Sequence, residues 1–304
     1  WSGLLIPATF DGGILLVDET QSGGYNPTTQ EQTAFFESIF TGQPYTRIQV
    51  NEAVDVVSRS LVGQYNPIFW IDDDDTVHVL EESLDTLDWF LDYDTDFLLA
   101  GWQTIYAITG QRHFYSGSFY YDNLGITYIA QNPQTDFTGA TGLNGWPDLE
   151  VRDHPFYMNR LPDIDIFTES AQAEVIYTFD SYSSHPFFAD KPVGVALDTY
   201  HGKRVVLGFP LYWLTEASAQ ALITKVFEYF AEESVLYGDI NGDWSVSILD
   251  VTYLINYLYK EGPPPEDMNN ADVDAGCAIN LLDATYLINY LYKNGPEPLE
   301  GCVN

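Results

Sequence analysis

Two stretches near the C-terminal end carry oxygen donors at the alternating spacing that a hard cation requires. In the first, Asp239, Asn241 and Asp243 occupy positions 1, 3 and 5 of a twelve-residue loop, with Ser245 at 7, Ser247 at 9 and Asp250 at 12. In the second, Asp272, Asp274, Asn280 and Asp283 hold positions 1, 3, 9 and 12, and Ala278 sits at 7, where a backbone carbonyl serves. A tight turn gathers alternate side chains and one carbonyl around an ion that takes six to eight oxygens, so the chemistry is calcium coordination at two sites. A solvated acidic turn would not repeat six positions in register and then recur. The second loop is the poorer one: position 5 is Gly276 and position 6 is Cys277, so one ligand must be water or missing and its affinity lower. Position 6 of the first loop is Trp244, where such loops favour a left-handed glycine, at a cost of about 1–2 kcal/mol that bound metal offsets.

The elements behind these loops are a duplicated unit. The run from Leu249 to Lys260 recurs from Leu282 to Lys293, 33 residues on, with one substitution, Val251 against Ala284. Each copy ends in a Gly-Pro breaker, Gly262-Pro263 and Gly295-Pro296, so each unit reads as loop, helix, stop. Sixty-eight residues, 237–304, bury too little apolar surface to be comfortable alone, and metal is an expected staple. The two cysteines, Cys277 and Cys302, read either as one disulfide, closing a loop worth about 3–4 kcal/mol, or as two buried thiols.

Paired loops with Asp at position 12, each feeding one helix, resemble a type I dockerin. The resemblance covers 237–304 and rests on Gly238-Asp239-Ile240-Asn241-Gly242-Asp243 with Leu249-Asp250, and on Ala271-Asp272-Val273-Asp274 with Leu282-Asp283. It implies calcium binding and docking onto a cohesin-like module in an extracellular or cell-surface assembly. Loop positions 10 and 11, which touch the partner in that family, are Ile248, Leu249, Leu281 and Leu282 here, so an apolar docking stripe is implied. Leu249 and Leu282 also suit a core.

Residues 13–236 read as a separate domain after an apolar segment, 1–12, that suits an edge strand or a segment another sheet accepts. Short β-rich runs (Ile14–Val17, Tyr45–Val50, Ile68–Ile71, Phe97–Ala100) alternate with helical patterns (Glu31–Phe40, Ala53–Val62, Val79–Leu91). Strands resume at Val193–Asp198 and Arg204–Gly208, and Glu216–Glu232 closes with a helix. This is an α/β fold with a mostly parallel sheet wrapped by helices, followed by a small helical paired-loop domain. Residues 115–186, rich in Gly, Asn, Pro and aromatics, read as long loops and short strands outside the core.

The α/β pattern resembles the flavodoxin-like, class I glutamine-amidotransferase-like group, on Ile14-Leu15-Leu16-Val17-Asp18, Ile68-Phe69-Trp70-Ile71-Asp72, Phe97-Leu98-Leu99-Ala100-Gly101 and Val205-Val206-Leu207-Gly208. The catalytic members place a cysteine on the turn after the third of these runs; here that turn is Gly101-Trp102-Gln103, and no cysteine precedes Cys277. Thiol chemistry is out. Nor is there a Gly-x-Ser-x-Gly elbow, a His-Glu-x-x-His pair or a Gly-rich phosphate loop. His154 and His185 read as loop or packing residues, and Asp72–Asp75, after a strand, as a solvated loop or a cation site.

Composition narrows the partners. Against 45 Asp and Glu stand 11 Lys and Arg, a formal charge of −34 that repels nucleic acid and anionic lipid. No apolar run reaches the length a membrane helix needs. Such a surface suits a salty or calcium-containing medium outside the cell. The expectation is an extracellular, non-catalytic assembly protein, joined through calcium to a cohesin-like partner or to copies of itself in a polymer. The alternative is a polysaccharide-binding or polysaccharide-hydrolysing component, since dockerins are often appended to such enzymes; the aromatic stretch Phe114–Tyr128 is its candidate carbohydrate surface.

Overall fold

The structure, a computed structural model, describes residues 7–50, 57–74, 79–199, 201–232, 236–243, 245–293 and 295–303. Of the sequence expectations, residues 1–6 of the apolar segment, residues 53–56 of the second helix, Asp75 and Trp244 lie outside these. The chain divides into two compact units, Trp1–Glu232 and Glu233–Asn304.

The large unit runs β1 (Ile14–Asp18), α1 (Thr29–Ile39), β2 (Tyr45–Gln49), α2 (Arg59–Val62), β3 (Ile68–Asp72), a 3-10 turn, α3 (Leu84–Leu91), β4 (Phe97–Gly101), α4 (Thr104–Ile108) and α5 (Phe119–Asp122). It continues β5 (Ile126–Asn132), β6 (Phe137–Gly142), β7 (Leu149–Glu150), β8 (Ile164–Glu169), β9 (Ala173–Ser181), β10 (Pro192–Thr199), β11 (Gly202–Leu207) and α6 (Glu216–Ala231). Nine strands form one sheet in the order β2-β1-β3-β4-β11-β10-β9-β6-β7, and β5 pairs with β8. Pairing is parallel from β2 to β11 and antiparallel from β11 to β7. The mixed α/β class stands as expected.

Why the parallel strands read as unbroken apolar runs is plain from their burial. All five residues of β1, β3 and β4 are buried, because helices cover both faces. Alternate side chains enter two cores: Leu16, Phe69 and Leu98 join Phe36 of α1 and Leu222 of α6, while Leu15, Trp70 and Leu99 join Leu87 and Phe90 of α3. Thr28 caps α1 through a reciprocal capping box with Glu31.

The region 115–186 departs from expectation. It supplies β5 to β9, and Phe137, Ile176, Tyr177 and Phe179 are buried in the first core, with the Phe137 and Phe179 rings 5.0 Å apart. Its glycines serve close strand approach: a Cβ at Gly139 would stand 2.0 Å from the Leu149 carbonyl oxygen of the neighbouring strand. The Phe114–Tyr128 stretch is in part core, although Tyr115 stays 74% exposed. Phe114 is buried, Tyr120 lies 4.6 Å from it, and both pack on the second core.

In the small unit, α7 (Ile248–Tyr259) and α9 (Leu281–Lys293) pack together, with α8 (Met268–Ala271) between them in the chain. The duplication is visible in three dimensions. Ile240, Val251 and Leu254 fill the core beside their counterparts Val273, Ala284 and Leu287. Gly262 donates to the Asn256 carbonyl at 3.0 Å and Gly295 to the Asn289 carbonyl at 2.9 Å, which closes the two helices alike. Tyr253 and Tyr286 donate their hydroxyls to the carbonyls of Pro264 and Glu297, each eleven residues on.

Candidate metal centre

Each loop folds so that its carboxylates meet. Oxygens of Asp239, Asp243 and Asp250 lie within 4.8 Å of one another, as do those of Asp272, Asp274 and Asp283. The first and last acids, Asp239 and Asp250 or Asp272 and Asp283, are buried; Asp243 is exposed and Asp274 half-buried. Backbone donors hold the carboxylates in place. Asp250 accepts from Ile240 at 2.8 Å and Asn241 at 3.1 Å through Oδ1, and from Ser247 at 2.7 Å through Oδ2. Asp239 Oδ1 accepts from Gly242 and Asp243, and Asn241 Oδ1 accepts from Asp243 at 2.7 Å. Ser247 caps α7, accepting from Leu249 at 3.1 Å, while Ser245 donates its N–H to Asp243 at 3.1 Å.

The second loop repeats the plan with different fastenings. Asp283 accepts from Asn280 at 2.8 Å and Asp274 at 3.4 Å; Asp272 accepts from Gly276 and Cys277. Asn280 donates to the Ala278 carbonyl at 2.8 Å and accepts from Leu282 at 2.8 Å. Cys277 and Cys302 form a disulfide, and the Cys302 N–H reaches Asp272 Oδ2 at 2.9 Å, so the chain terminus is strapped onto the loop. Position 6 does adopt the left-handed backbone, at Cys277 with φ 58°. Position 4 does the same in both loops, at Gly242 (φ 73°) and Ala275 (φ 54°). Burial, together with the negative charges of Asp274 and Asp272, raises the Asp283 carboxyl above the ordinary range. Clustered, buried, oxygen-only donors that are unfavourable to one another fit a hard divalent cation. Bound there, calcium supplies the charge that makes the cluster stable as carboxylates.

Beside each buried position 12 the preceding residues face outward. Ile248 and Leu249 are 47% and 58% exposed, and Leu281 and Leu282 are 52% and 63% exposed. A core role for Leu249 and Leu282 is thereby set aside.

The large unit also buries acids, in another manner. Asp18, Glu19, Asp72, Asp73 and Asp74 are all buried, at the C-terminal ends of β1 and β3. The Asp72–Asp74 run is no solvated loop, and its carboxylates part company. Asp72 accepts from Thr104 at 3.0 Å, Asp73 from the backbone of Leu211 and of Tyr212, and Asp74 from Gln21 at 2.6 Å. Asp18 pairs with Arg47, and Glu19 accepts from Trp70 at 2.5 Å and from the Val79 backbone. Burial pushes the Asp73 carboxyl up to about 7 and raises Asp72 well above the usual carboxylate range. Sequence reasoning passed over Asp18 and Glu19, whose only signal was their place at the end of the first strand.

The turn after β4 keeps an elbow without a nucleophile. Gln103 sits there with φ 62°, and a Cβ on Gly101 would fall 1.7 Å from Thr104 Oγ1, so only glycine fits. His154 and His185 are packing residues: each accepts the N–H two residues on, and their rings lie against Trp213 and Phe188.

No curated protein matches the chain. Among solved structures, it is similar to the β-galactosidase from Rahnella sp. R3, at 11% identity over 72% of this chain and 31% of that one, with a TM-score of 0.44. It is also similar to a ThuA-like protein from Bacteroides uniformis, at 12% identity over 77% and 96% of the two chains (TM-score 0.43). A third is the exo-β-1,4-mannosidase from an Opitutaceae bacterium, at 11% over 71% and 35% (TM-score 0.39). The chain thus spans about a third of the two glycosidases. The expectation of a flavodoxin-like domain stands as a parallel α/β sheet with helices, with ThuA-like and glycosidase structures as its neighbours. The expectation that the chain is not an enzyme is withdrawn. Its ground was missing thiol, serine and metal-peptidase motifs, which says nothing about carboxyl chemistry. Among the described residues no helix is long and apolar enough to cross a membrane. Residues 237–292 match the family model described as the dockerin type I domain, and the C-terminal unit, with its paired acidic loops and helices, is a dockerin region.

Proposed function

We propose that this chain is a dockerin-bearing polysaccharide-binding or polysaccharide-hydrolysing component, which calcium lets dock onto a cohesin-like partner outside the cell or on its surface. The observation that carries the docking half is the geometry of the repeat. In each copy a carboxylate trio, its first and last acids buried, stands directly behind two exposed apolar residues on the first turn of a helix. Calcium is held by Asp239, Asn241, Asp243, Ser245, Ser247 and Asp250, and more weakly by Asp272, Asp274, Ala278, Asn280 and Asp283. Neutralising each trio fixes the first turns of α7 and α9, and Ile248, Leu249, Leu281 and Leu282 then form the stripe that packs on the partner. The polysaccharide half rests on what dockerin modules are commonly attached to.

Light scattering on the whole chain in millimolar calcium and in excess EDTA, with and without a cohesin module, tests the docking. A calcium-dependent complex with cohesin is expected. A large mass in calcium without cohesin, collapsing in EDTA, would replace that partner by further copies of this chain.

A further inference from the structure

We infer that the rim of the large unit, at the C-terminal ends of its parallel strands, carries a stacking platform for the rings of a neutral polysaccharide, made by Tyr25 and Phe156; this rests on the polysaccharide reading above. Tyr25 lies in the loop that follows β1, and Phe156 in the loop that follows β7. β7 runs in the same direction as β1 through the pairings of the sheet, so both loops emerge at one end, where open α/β sheets place their ligands. The two rings stack with centroids 3.8 Å apart and planes inclined by 15°, yet remain 59% and 50% exposed. Each covers one face of the other, and half or more of each residue stays open to solvent.

The stack is rooted. Phe156 meets Tyr157 edge-on at 4.7 Å, Tyr157 meets the buried Trp213 at 5.0 Å and the buried Trp102 at 5.3 Å, and the two indoles touch each other. A ring seated on the buried Tyr157, itself wedged against two buried indoles, does not fold away in water, so the exposed apolar area is kept at a cost and is ready for a ligand. The occupant follows from shape and charge. Two flat, stacked rings offer broad apolar faces, which match the C–H face of a pyranose. A chain of net charge −34 repels an anionic polymer, so the sugar is uncharged.

Titration calorimetry on the whole chain with cellohexaose and mannohexaose, and oligogalacturonate as the anionic comparison, tests this. A neutral hexaose binds, Tyr25→Ala and Phe156→Ala each weaken it by about tenfold or more, and Phe156→Trp, which keeps a ring in place, retains it. Tyr259→Ala removes a ring 64% exposed in the dockerin unit and changes nothing. Unchanged melting of the alanine variants shows that the fold is intact. If the hexaose binds Tyr25→Ala and Phe156→Ala as it binds the native chain, the platform is wrong and the polysaccharide reading stands. If no neutral oligosaccharide binds at millimolar concentration, both fall. Preference for oligogalacturonate overturns the charge argument, and a lower mass of the alanine variants by light scattering, without sugar binding, makes the rings a contact between copies.

Discussion

In the dockerin unit Asp239, Asp243 and Asp250 turn toward one point, and so do Asp272, Asp274 and Asp283, whereas Asp72, Asp73 and Asp74 of the α/β unit, adjacent in sequence, reach for three different segments. Both sets are largely buried, and burial makes an ionised carboxylate costly in either place. The remedies differ. Carboxylates that converge on one point need a cation between them; those of the α/β unit, although the charges of Asp74 and Asp73 also raise Asp72, are answered by backbone N–H groups, a hydroxyl or a proton. An unbroken run of aspartates looks like the better metal site in sequence, yet among the described residues it is the alternating acids whose oxygens gather at one point. Alternate residues on a tight turn can face one ion, while consecutive residues leaving a strand point apart.

Removing calcium is the strongest way to break this comparison. With EDTA the dockerin unit loses its cooperative melting transition, because six carboxylates are left in two uncompensated clusters, while the α/β unit melts where it did before. Differential scanning calorimetry separates the two transitions. Asp250→Ala and Asp283→Ala should each abolish one site and cut its calcium affinity by at least about 100-fold. If the α/β transition also fell in EDTA, its acids would have to share a cation, and the contrast would fail.

Next in size is the strap that distinguishes the two loops. The Cys277–Cys302 disulfide holds the terminus so that Cys302 N–H meets Asp272 Oδ2, and nothing like it fastens the first loop among the described residues. Cys302→Ser is expected to cost the unit about 3 kcal/mol and to weaken the second site while sparing the first. A calcium titration in which both sites weaken equally would mean that the strap serves the fold alone.

A smaller effect, about 1–3 kcal/mol, is expected for Asp73→Asn, whose amide can accept only one of the two N–H groups of Leu211 and Tyr212. The same variant reads the pH dependence. A carboxyl raised from 3.8 to about 7 on folding binds its proton more tightly in the folded state, so its contribution is present at low pH and lost as pH rises from about 4 through 7. Asp18 and Asp72 are raised too and act in the same direction. The α/β transition should fall between pH 5 and pH 8, and fall less in Asp73→Asn.

Legibility followed the range of the forces at work. The helices α7 and α9, their Gly-Pro stops and the register of both loops rest on contacts within a dozen residues, and the sequence displays them directly. So do β1, β3 and β4, whose burial on both faces demands runs such as Ile68 to Ile71. What stayed hidden depends on distant partners. β6 looks like loop because its Gly and Thr residues are chosen for neighbouring strands, and Phe137 meets Phe179 and Phe209 from 42 and 72 residues away. Aromatic composition misled in the same way: Phe114 and Tyr120 lie together in sequence and are packed inside, while Tyr25 and Phe156, 131 positions apart, share the surface.

The finest test works within the pair of loops. At position 5 the first loop has Asp243 and the second has Gly276, whose N–H instead donates to Asp272 and Asp274. If the missing carboxylate is what makes the second site weaker, Gly276→Asp should strengthen it by about tenfold and bring the two affinities together. The backbone permits the change, since Gly276 is absent from the positive-φ residues. A Cβ there would stand 2.6 Å from Asp274 Oδ1, which is the end of a side chain that can swing toward the ion. Stepwise calcium titration of the native chain and the variant distinguishes the causes. Two merged steps locate the asymmetry in the position-5 ligand; two steps that stay apart assign it to the left-handed Cys277 and its strap, because those remain when the position-5 carboxylate has been supplied.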